Sequence, residues 1–327
     1  MKVLVTGADG MLGSNIVREL LNRQMAVRAF VLPSSPYRSL EGLAIEKVEG
    51  NLLDPKSLGQ AMQGCDAIIH TAANTSIWPD RSEVVRKVNI EGTQHIIDLA
   101  LQQKIKRLVY IGTANSFGFG SKTSPGDESR PYQSAKYGLD YMDSKYEAQV
   151  NLLKACKERG LPALTINPTF MFGPYDSKPG AGAMILAIYQ QKVPGYASGG
   201  RNYIYVKDVA VATCNALHQG KIGESYIAGN VNMDYKEAFS TIAQTVGVKA
   251  PSLFIPPQIS KVYGWLGSQF SRISGKAPTV SYAMARISCD EHYFSAQKAV
   301  DELGLPQTDI KIAIKESFNW LHTNGYC

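Results

Sequence analysis

Along the first half of the chain, apolar residues fall into short blocks separated by longer amphipathic stretches. The blocks at 2–6 (KVLVT), 26–31 (AVRAFV), 45–48, 67–70 (AIIH), 107–111 (RLVYI) and 163–167 (ALTIN) predict β-strands. They lack a clean alternation of apolar and polar positions, as strands covered on both faces do. Between them, residues 12–23, 55–62, 82–103 and 137–159 carry apolar positions at helical spacing and predict helices. Strands alternating with helices in this way predict an α/β fold, a Rossmann-type doubly wound parallel sheet with helices on both faces.

After Pro168 the texture changes. Gly-Pro and Pro-Gly pairs at 173–174, 179–180 and 194–195 punctuate short elements, and helix-like and loop-like pieces dominate from 233 to 285. Residues 1–168 are therefore expected to form the main parallel-sheet domain. Residues 169–201 and 229–327 are expected to form mainly a smaller, discontinuous C-terminal lobe. Segments 203–209 and 224–228 read as strands returning to the main sheet.

Composition excludes several classes. The 327 residues are 44% hydrophobic and 19% charged, with a net charge of +6 spread along the chain. No block of Arg and Lys is interleaved with aromatics, so nucleic acid is not expected as a partner. No stretch of about 18 uncharged apolar residues occurs, so no membrane partner is expected. The opening MKVLVTG runs directly into a strand pattern and lacks the apolar region of a signal peptide, which predicts a cytoplasmic protein. The five cysteines are scattered, never as C-x-x-C, and the five histidines form no ligand spacing; neither a metal nor a disulfide framework is expected.

The first strand runs into Gly7-Ala-Asp-Gly10-Met11-Leu12-Gly13, and a helix follows at once. Gly7 would permit a tight turn, Gly10 the close approach of a pyrophosphate, and Gly13 close helix–strand packing. The phosphates would lie over the unpaired N–H groups and positive dipole end of the new helix, at Met11 and Leu12. At the end of the second strand, where an Asp or Glu would hold a ribose 2′-hydroxyl, the chain reads Leu32-Pro-Ser34-Ser35-Pro-Tyr-Arg38. Hydroxyls and an Arg suit a 2′-phosphate, which favours NADP(H) and leaves NAD(H) open. A surface Arg in a Pro/Ser loop is the other reading.

Three Tyr-x-x-x-Lys pairs occur, Tyr132/Lys136, Tyr141/Lys145 and Tyr203/Lys207, where 17 Tyr and 22 Lys would give roughly one by chance. Acid–base chemistry needs both side chains on one helical face, with Cβ atoms about 5–6 Å apart. The pair at 203 and 207 is strand-like, where that spacing spans about 13 Å. The pair at 132 and 136 lies in a loop entering a helix. Only Tyr141 and Lys145 sit in a segment with room for a long helix, which Gly160-Leu-Pro162 ends. An adjacent ammonium would lower the phenol's pKa, so that Tyr141 could exchange a proton with a substrate oxygen.

These features resemble, in order along the chain, the extended class of the short-chain dehydrogenase/reductase superfamily, the NAD-dependent epimerase/dehydratase family. Gly7-x-x-Gly10-x-x-Gly13 has its glycine spacing. Val48-Glu-Gly-Asn51-Leu52-Leu-Asp54 resembles its adenine-contacting "GDLxD", with Asn51 for Asp. His70-Thr71-Ala72-Ala73 resembles its "HxAA" strand end, Asn89-Ile-Glu-Gly-Thr93 its "NxxGT", and Asn167-Pro168-Thr-Phe-Met-Phe-Gly-Pro174 its "RPxxxxGP". Ser144-Lys145 and Gln149 resemble "YxxSKxxxE", with Gln for Glu. Val109-Tyr-Ile-Gly-Thr113 resembles "VYxSS", and the resemblance makes Thr113, rather than Ser116, the hydroxyl beside the substrate oxygen. It also gives Lys145 a hydrogen bond to the nicotinamide ribose.

Within the superfamily, Ala114-Asn115 after Thr113 replace the Asp-Glu of sugar dehydratases. Asn167 and Phe170 replace the Arg and Asn of epimerases. These departures favour the dihydroflavonol-4-reductase-like branch, an NAD(P)-dependent oxidoreductase acting on a carbonyl/hydroxyl pair of a small cyclic substrate. Asn115, Phe170 and Arg201 become candidate substrate contacts. The run 201–208 (RNYIYVKD) resembles the epimerase segment whose Arg grips a sugar diphosphate, with Arg286 as a second phosphate contact; a surface or lobe-packing role is the equal alternative for both arginines. A nucleotide-sugar epimerase with tightly bound NAD is thus the alternative, and a non-catalytic dinucleotide-binding regulator the third. Helices 82–103 and 137–159 carry apolar residues beyond one face, and the resemblance implies that they pair in a homodimer.

Overall fold

In a computed structural model of the protein, which describes residues 1–33 and 38–327, each of the six predicted strands forms within one residue of its expected bounds. The chain runs β1 (Lys2–Thr6), α1 (Met11–Asn22), β2 (Ala26–Val31), β3 (Glu46–Glu49), α2 (Pro55–Met62) and β4 (Ala67–His70). It continues through α3 (Glu83–Arg86), α4 (Gly92–Gln102), β5 (Arg107–Ile111), α5 (Asp140–Arg159) and β6 (Ala163–Pro168). Further on, β7 (Phe170–Phe172), α6 (Gly182–Tyr189), β8 (Gly195–Tyr196), β9 (Gly200–Tyr205), α7 (Val206–Asn215) and β10 (Ser225–Ala228) follow.

The main sheet has seven strands in the order β3-β2-β1-β4-β5-β6-β10, every pair parallel. Successive residues of a strand feed opposite cores, because their side chains alternate across the sheet. Val3, Val5, Ala29 and Val31 join α1 and α7 in one core, while Leu4, Phe30 and Ile68 join α2, α4 and α5 in the other. The continuous apolar runs in the sequence have this cause. The strand order reverses between β1 and β4, and a crevice opens at the carboxyl ends of strands at such a switch point.

Three sequence expectations change. Segment 224–228 does return to the main sheet as β10, but 203–209 does not. Its first half ends β9, the centre of a separate small sheet with β7, β11 (Val231–Asp234) and β13 (Glu291–His292), and its second half begins α7. The switch comes at Val206, where Lys207 and Asp208 interrupt the apolar run and α7 packs along α1. The helix expected over 82–103 forms without a break from 83 to 102 but is not regular: α3 passes into α4 through a π-helical turn at Lys87–Glu91. The helix expected from 137 begins at Asp140, because Ser134–Tyr137 form a short 3₁₀ turn closed by Gly138 at φ +67°.

The remaining elements are α8 (Tyr235–Val246), β12 (Leu253–Phe254), α9 (Pro257–Ser274), α10 (Tyr282–Ile287), α11 (Gln297–Leu303) and α12 (Ile310–Thr323). β12 pairs with β8, α9 packs on α10, and α12 contacts α6, α8 and β9. No helix among the described residues is long and apolar enough to cross a membrane.

Candidate active site

A cavity of about 2000 Å³ opens at the carboxyl ends of β1, β4, β5 and β6 and extends to α6, α9 and α10. Among the described residues, the dinucleotide, catalytic and substrate candidates singled out from the sequence border it, from the glycine loop and Arg38 to Asn115, Phe170 and Arg201, with Arg286 the exception. Ser34 and Ser35 lie outside the described residues.

The glycine loop can be tested for fit by asking where a Cβ would go. Gly7 has φ +65° and packs so that a Cβ would sit 2.7 Å from the Ala72 Cα. At Gly13 a Cβ would collide with the Gly7 carbonyl oxygen and lie 2.9 Å from the Ala8 Cα. Gly10 differs: its Cβ would meet only the Gly7 oxygen, at 3.4 Å, and would otherwise project into the cavity. Two glycines thus let the loop and helix close, and the third keeps a cradle open at the α1 N-terminus, where N–H groups favour an anion. Asn51 Oδ1 accepts from the Leu53 N–H at 2.9 Å, which fixes the side chain and leaves an oxygen lone pair.

Tyr141 and Lys145 lie one turn apart on α5, facing the end of β5. Asp140 fixes the start of α5 by accepting from Arg81 at 2.8 Å and from the Ser82 N–H at 2.6 Å. Ser144, fully buried, donates to the Tyr141 carbonyl at 3.1 Å and accepts from Asn89 Nδ2 at 2.9 Å. Asn89 also pairs with the Asn74 backbone in both directions, so the π-helical turn ties α5 to the loop after β4.

Lys145 is 4% exposed, and its Nζ donates to the Ile111 carbonyl at 2.6 Å while lying 4.2 Å from the Tyr110 ring centre. Among the described residues no carboxylate pairs with it, and burial brings its pKa down from 10.5 to about 7. Burial also pushes the Tyr141 phenol up, opposed by the Thr113 side chain. That differs from the expected lowering by Lys145: the Lys145 amine is only partly protonated near neutrality and donates to Ile111. Burial consequently keeps the Tyr141 phenol protonated. His70, beneath them, stays neutral; burial and then Lys145 bring it to about 3, between Thr6 and Thr93.

Thr113 borders the cavity, whereas Ser116 is buried, does not border it, and its hydroxyl has no hydrogen-bond partner among the described residues. The Thr113 hydroxyl accepts from the Asn115 N–H at 3.3 Å, and its carbonyl accepts from Asn167 Nδ2 at 3.2 Å. The same Asn167 amide donates to Gln149 Oε1, and Asn167 Oδ1 accepts from Thr165 at 2.6 Å. The two departures from the family pattern, Asn for Arg and Gln for Glu, are therefore partners. A neutral amide pair stands where the family pattern has Arg and Glu, and it braces the strand end that carries Thr113. Sequence reading met these substitutions separately and could not join them.

The other pairs separate. The Tyr132 hydroxyl donates to Asp143 at 2.6 Å and its ring stacks on Tyr146, bracing α5 from outside. Lys136 turns away to Asp290 at 2.7 Å, and Lys207 pairs with Glu316 at 2.6 Å.

On the substrate side, Phe170, Met184, Phe239, Ile259, Tyr263 and Met284 make an apolar wall. His292 also borders the cavity, hydrogen-bonded to the Tyr137 hydroxyl at 2.9 Å; neither it nor the α9 residues carried a sequence signal. Arg201 Nε donates to the Tyr235 hydroxyl at 2.7 Å, and its guanidinium lies 5.1 Å from the Phe170 ring centre. It pairs with no carboxylate among the described residues. Arg286 sits over the rings of Tyr137 and Tyr282, each at 5.7 Å, and does not border the cavity; stacking rather than phosphate contact accounts for its position. No cluster of metal-ligating side chains occurs among the described residues.

The sequence profile of the NAD dependent epimerase/dehydratase family matches residues 3–229. The chain is 35% identical over 329 residues to a protein of Synechocystis sp. named "Putative dihydroflavonol 4-reductase", covering 98% of this chain and 95% of that one. It is 27% identical to the sterol demethylase protein B of Methylococcus capsulatus, over 99% of both chains. The crystal structure of gox2253, 32% identical, superposes with a TM-score of 0.87 over 99% of this chain and 98% of that one.

Proposed function

The chain belongs to the NAD-dependent epimerase/dehydratase family and is an oxidoreductase, and we propose that it moves hydride between a nicotinamide dinucleotide and a carbonyl/hydroxyl pair on an apolar, cyclic small molecule. The dinucleotide, once bound, supplies or accepts the hydride. Residues 1–168 would hold it: the glycine loop at its pyrophosphate, Asn51 and Leu52 at the adenine, residues 71–73 and Pro168 along its nicotinamide half. The later segments would hold the substrate.

In the reducing direction Tyr141 donates its proton to the substrate oxygen, and the Thr113 hydroxyl hydrogen-bonds the same oxygen to fix its position. A phenol that burial keeps protonated suits this role better than that of a base at neutral pH. Lys145 keeps N–H groups for a ribose hydroxyl beyond the one it gives Ile111. The observation that carries this reading is the convergence of Thr113, Tyr141 and Lys145 on one cavity whose far wall is apolar. Arg201, without a carboxylate partner among the described residues, would take an anionic group on the substrate. That single feature favours the second reading, nucleotide-sugar epimerisation.

NADP(H) is the preferred dinucleotide on this reading: Arg38 borders the cavity, and residues 30–33 at the end of β2 contain no acid. A homodimer through α4 and α5, and a cytoplasmic location, belong to the same proposal; a monomer by sedimentation at micromolar concentration would refute the first. The function is tested by mixing the protein with NADPH and a panel of apolar cyclic ketones. Consumption of NADPH in step with ketone supports the reading. Interconversion of a nucleotide sugar with no net change in dinucleotide overturns it.

A further inference from the structure

Helix α9 is built inside out. Ile259, Val262, Tyr263, Leu266, Phe270 and Ile273 recur at the spacing of successive turns and share an arc of about 100°. On a helix of a soluble protein such a stripe faces the core, yet here it faces solvent, with Phe270 69% and Ile273 87% exposed. The buried face is the opposite one, made of Gly264, Ser268 and Ser271. A Cβ on Gly264 would come 2.6 Å from the Ala285 Cβ, and Ser268 Oγ accepts from the Tyr282 N–H at 2.8 Å. Close small-residue packing on α10 therefore fixes the rotation of α9 and holds the apolar stripe outward. Exposed Trp265, Leu253 and Phe254 widen the patch. Contiguous apolar surface of this kind marks an interaction site.

Charge identifies the partner. From residue 251 to 289 the chain contains Lys261, Arg272, Lys276 and Arg286 and no Asp or Glu. Anionic lipid headgroups complement them, while the acyl boundary takes the stripe, and Trp and Tyr are the side chains suited to that boundary. The stripe is also continuous with the cavity: Ile259 and Tyr263 are both exposed and part of its wall. We propose that α9 seats this protein on an anionic lipid surface, lying in the interface rather than crossing it, with the rim of the cavity turned towards the lipid.

The earlier expectation of no membrane partner rested on the absence of a span, a criterion blind to a helix lying flat. On the functional reading above, the lipid would also deliver an apolar substrate to the rim. The docking itself does not depend on that chemistry, and its test reads binding alone.

The test is flotation of the full-length, dinucleotide-loaded protein with vesicles of equal parts phosphatidylglycerol and phosphatidylcholine, and with vesicles of phosphatidylcholine alone. The protein should float with the anionic vesicles, and partition should fall about fivefold for each of Lys261, Arg272 and Lys276 changed to Gln. A Phe270→Gln/Ile273→Gln variant removes two side chains that touch little of the fold. It should keep its dinucleotide affinity and lose at least about tenfold in vesicle partition. Ile312→Gln, at an exposed apolar position on α12, should change nothing. Absence of flotation, flotation indifferent to the Phe270/Ile273 changes, or a variant that alters only the oligomeric mass would each overturn the proposal; the last would assign the stripe to a second copy.

Discussion

Replacing Lys145 with Met should stabilise the dinucleotide-free protein while abolishing turnover. Burial lowers the lysine from 10.5 to about 7, and at about 1.4 kcal/mol per pH unit that depression corresponds to about 5 kcal/mol. The unfolded chain binds this proton more tightly than the folded one, so stability rises with pH across the window from 7 to 10.5. The destabilisation is fully present below the folded value and vanishes above the unfolded one. Between about pH 7 and about pH 9 the wild type should gain about 2 kcal/mol from this residue alone. Lys145→Met has no such group, and His70, whose pKa Lys145 helps to lower, stays neutral in the folded protein across this window, so the difference between the two pH dependences isolates Lys145. At neutral pH the variant should be more stable by about 2 kcal/mol, after the loss of the Ile111 hydrogen bond is set against the relieved ammonium. Urea denaturation of both proteins at the two pH values measures this. Identical pH dependences would refute the reasoning, because they would mean that Lys145 is not a buried, unpaired cation.

Other positions give sharper contrasts. Gly13→Ala should destabilise the fold by about 2 kcal/mol or more, because its methyl meets the Gly7 carbonyl oxygen. Gly10→Ala should fold normally and weaken dinucleotide binding at least about tenfold, as read by thermal melts and fluorescence titration. Asn167→Arg alone should cost about 3 kcal/mol or more by burying an unpaired guanidinium, and Gln149→Glu in the same chain should restore most of it. A double-mutant cycle in denaturant, with a coupling of at least about 1 kcal/mol expected, checks this. Arg38→Ala should weaken NADPH binding about tenfold and leave NADH binding unchanged; equal losses for both would count against the 2′-phosphate assignment.

The fold was legible because strands covered on both faces must be apolar throughout, and the helices between them must each present one face. The glycine loop was legible for a similar reason: its spacing is the steric requirement of a turn and a close helix, as the Cβ clearances at Gly7 and Gly13 make plain. What could not be read depended on contacts between distant residues. The π-helical turn at Lys87–Glu91 presents Asn89 to Asn74 and Ser144, and no local propensity encodes that. The end of β9 at Tyr205 depends on α7 packing along α1. Asn167 and Gln149 looked like independent losses of charge until the fold joined them. Residues 257–274 read only as part of the helix-like and loop-like stretch 233–285, and the side that α9 buries is chosen by Gly264 and Ser268 against α10, contacts that local sequence does not encode.

The assignment of Tyr141 as the proton donor beside a transferred hydride is the claim on which the rest depends. It is tested most directly with NADPH carrying deuterium at the transferring position, an accepted cyclic ketone, and the wild type beside Tyr141→Phe. The wild type should place deuterium on the carbinol carbon of the product. Tyr141→Phe should bind NADPH with unchanged affinity and form product at least about a thousandfold more slowly. Product formation by Tyr141→Phe at the wild-type rate, or wild-type product without deuterium, would contradict the account.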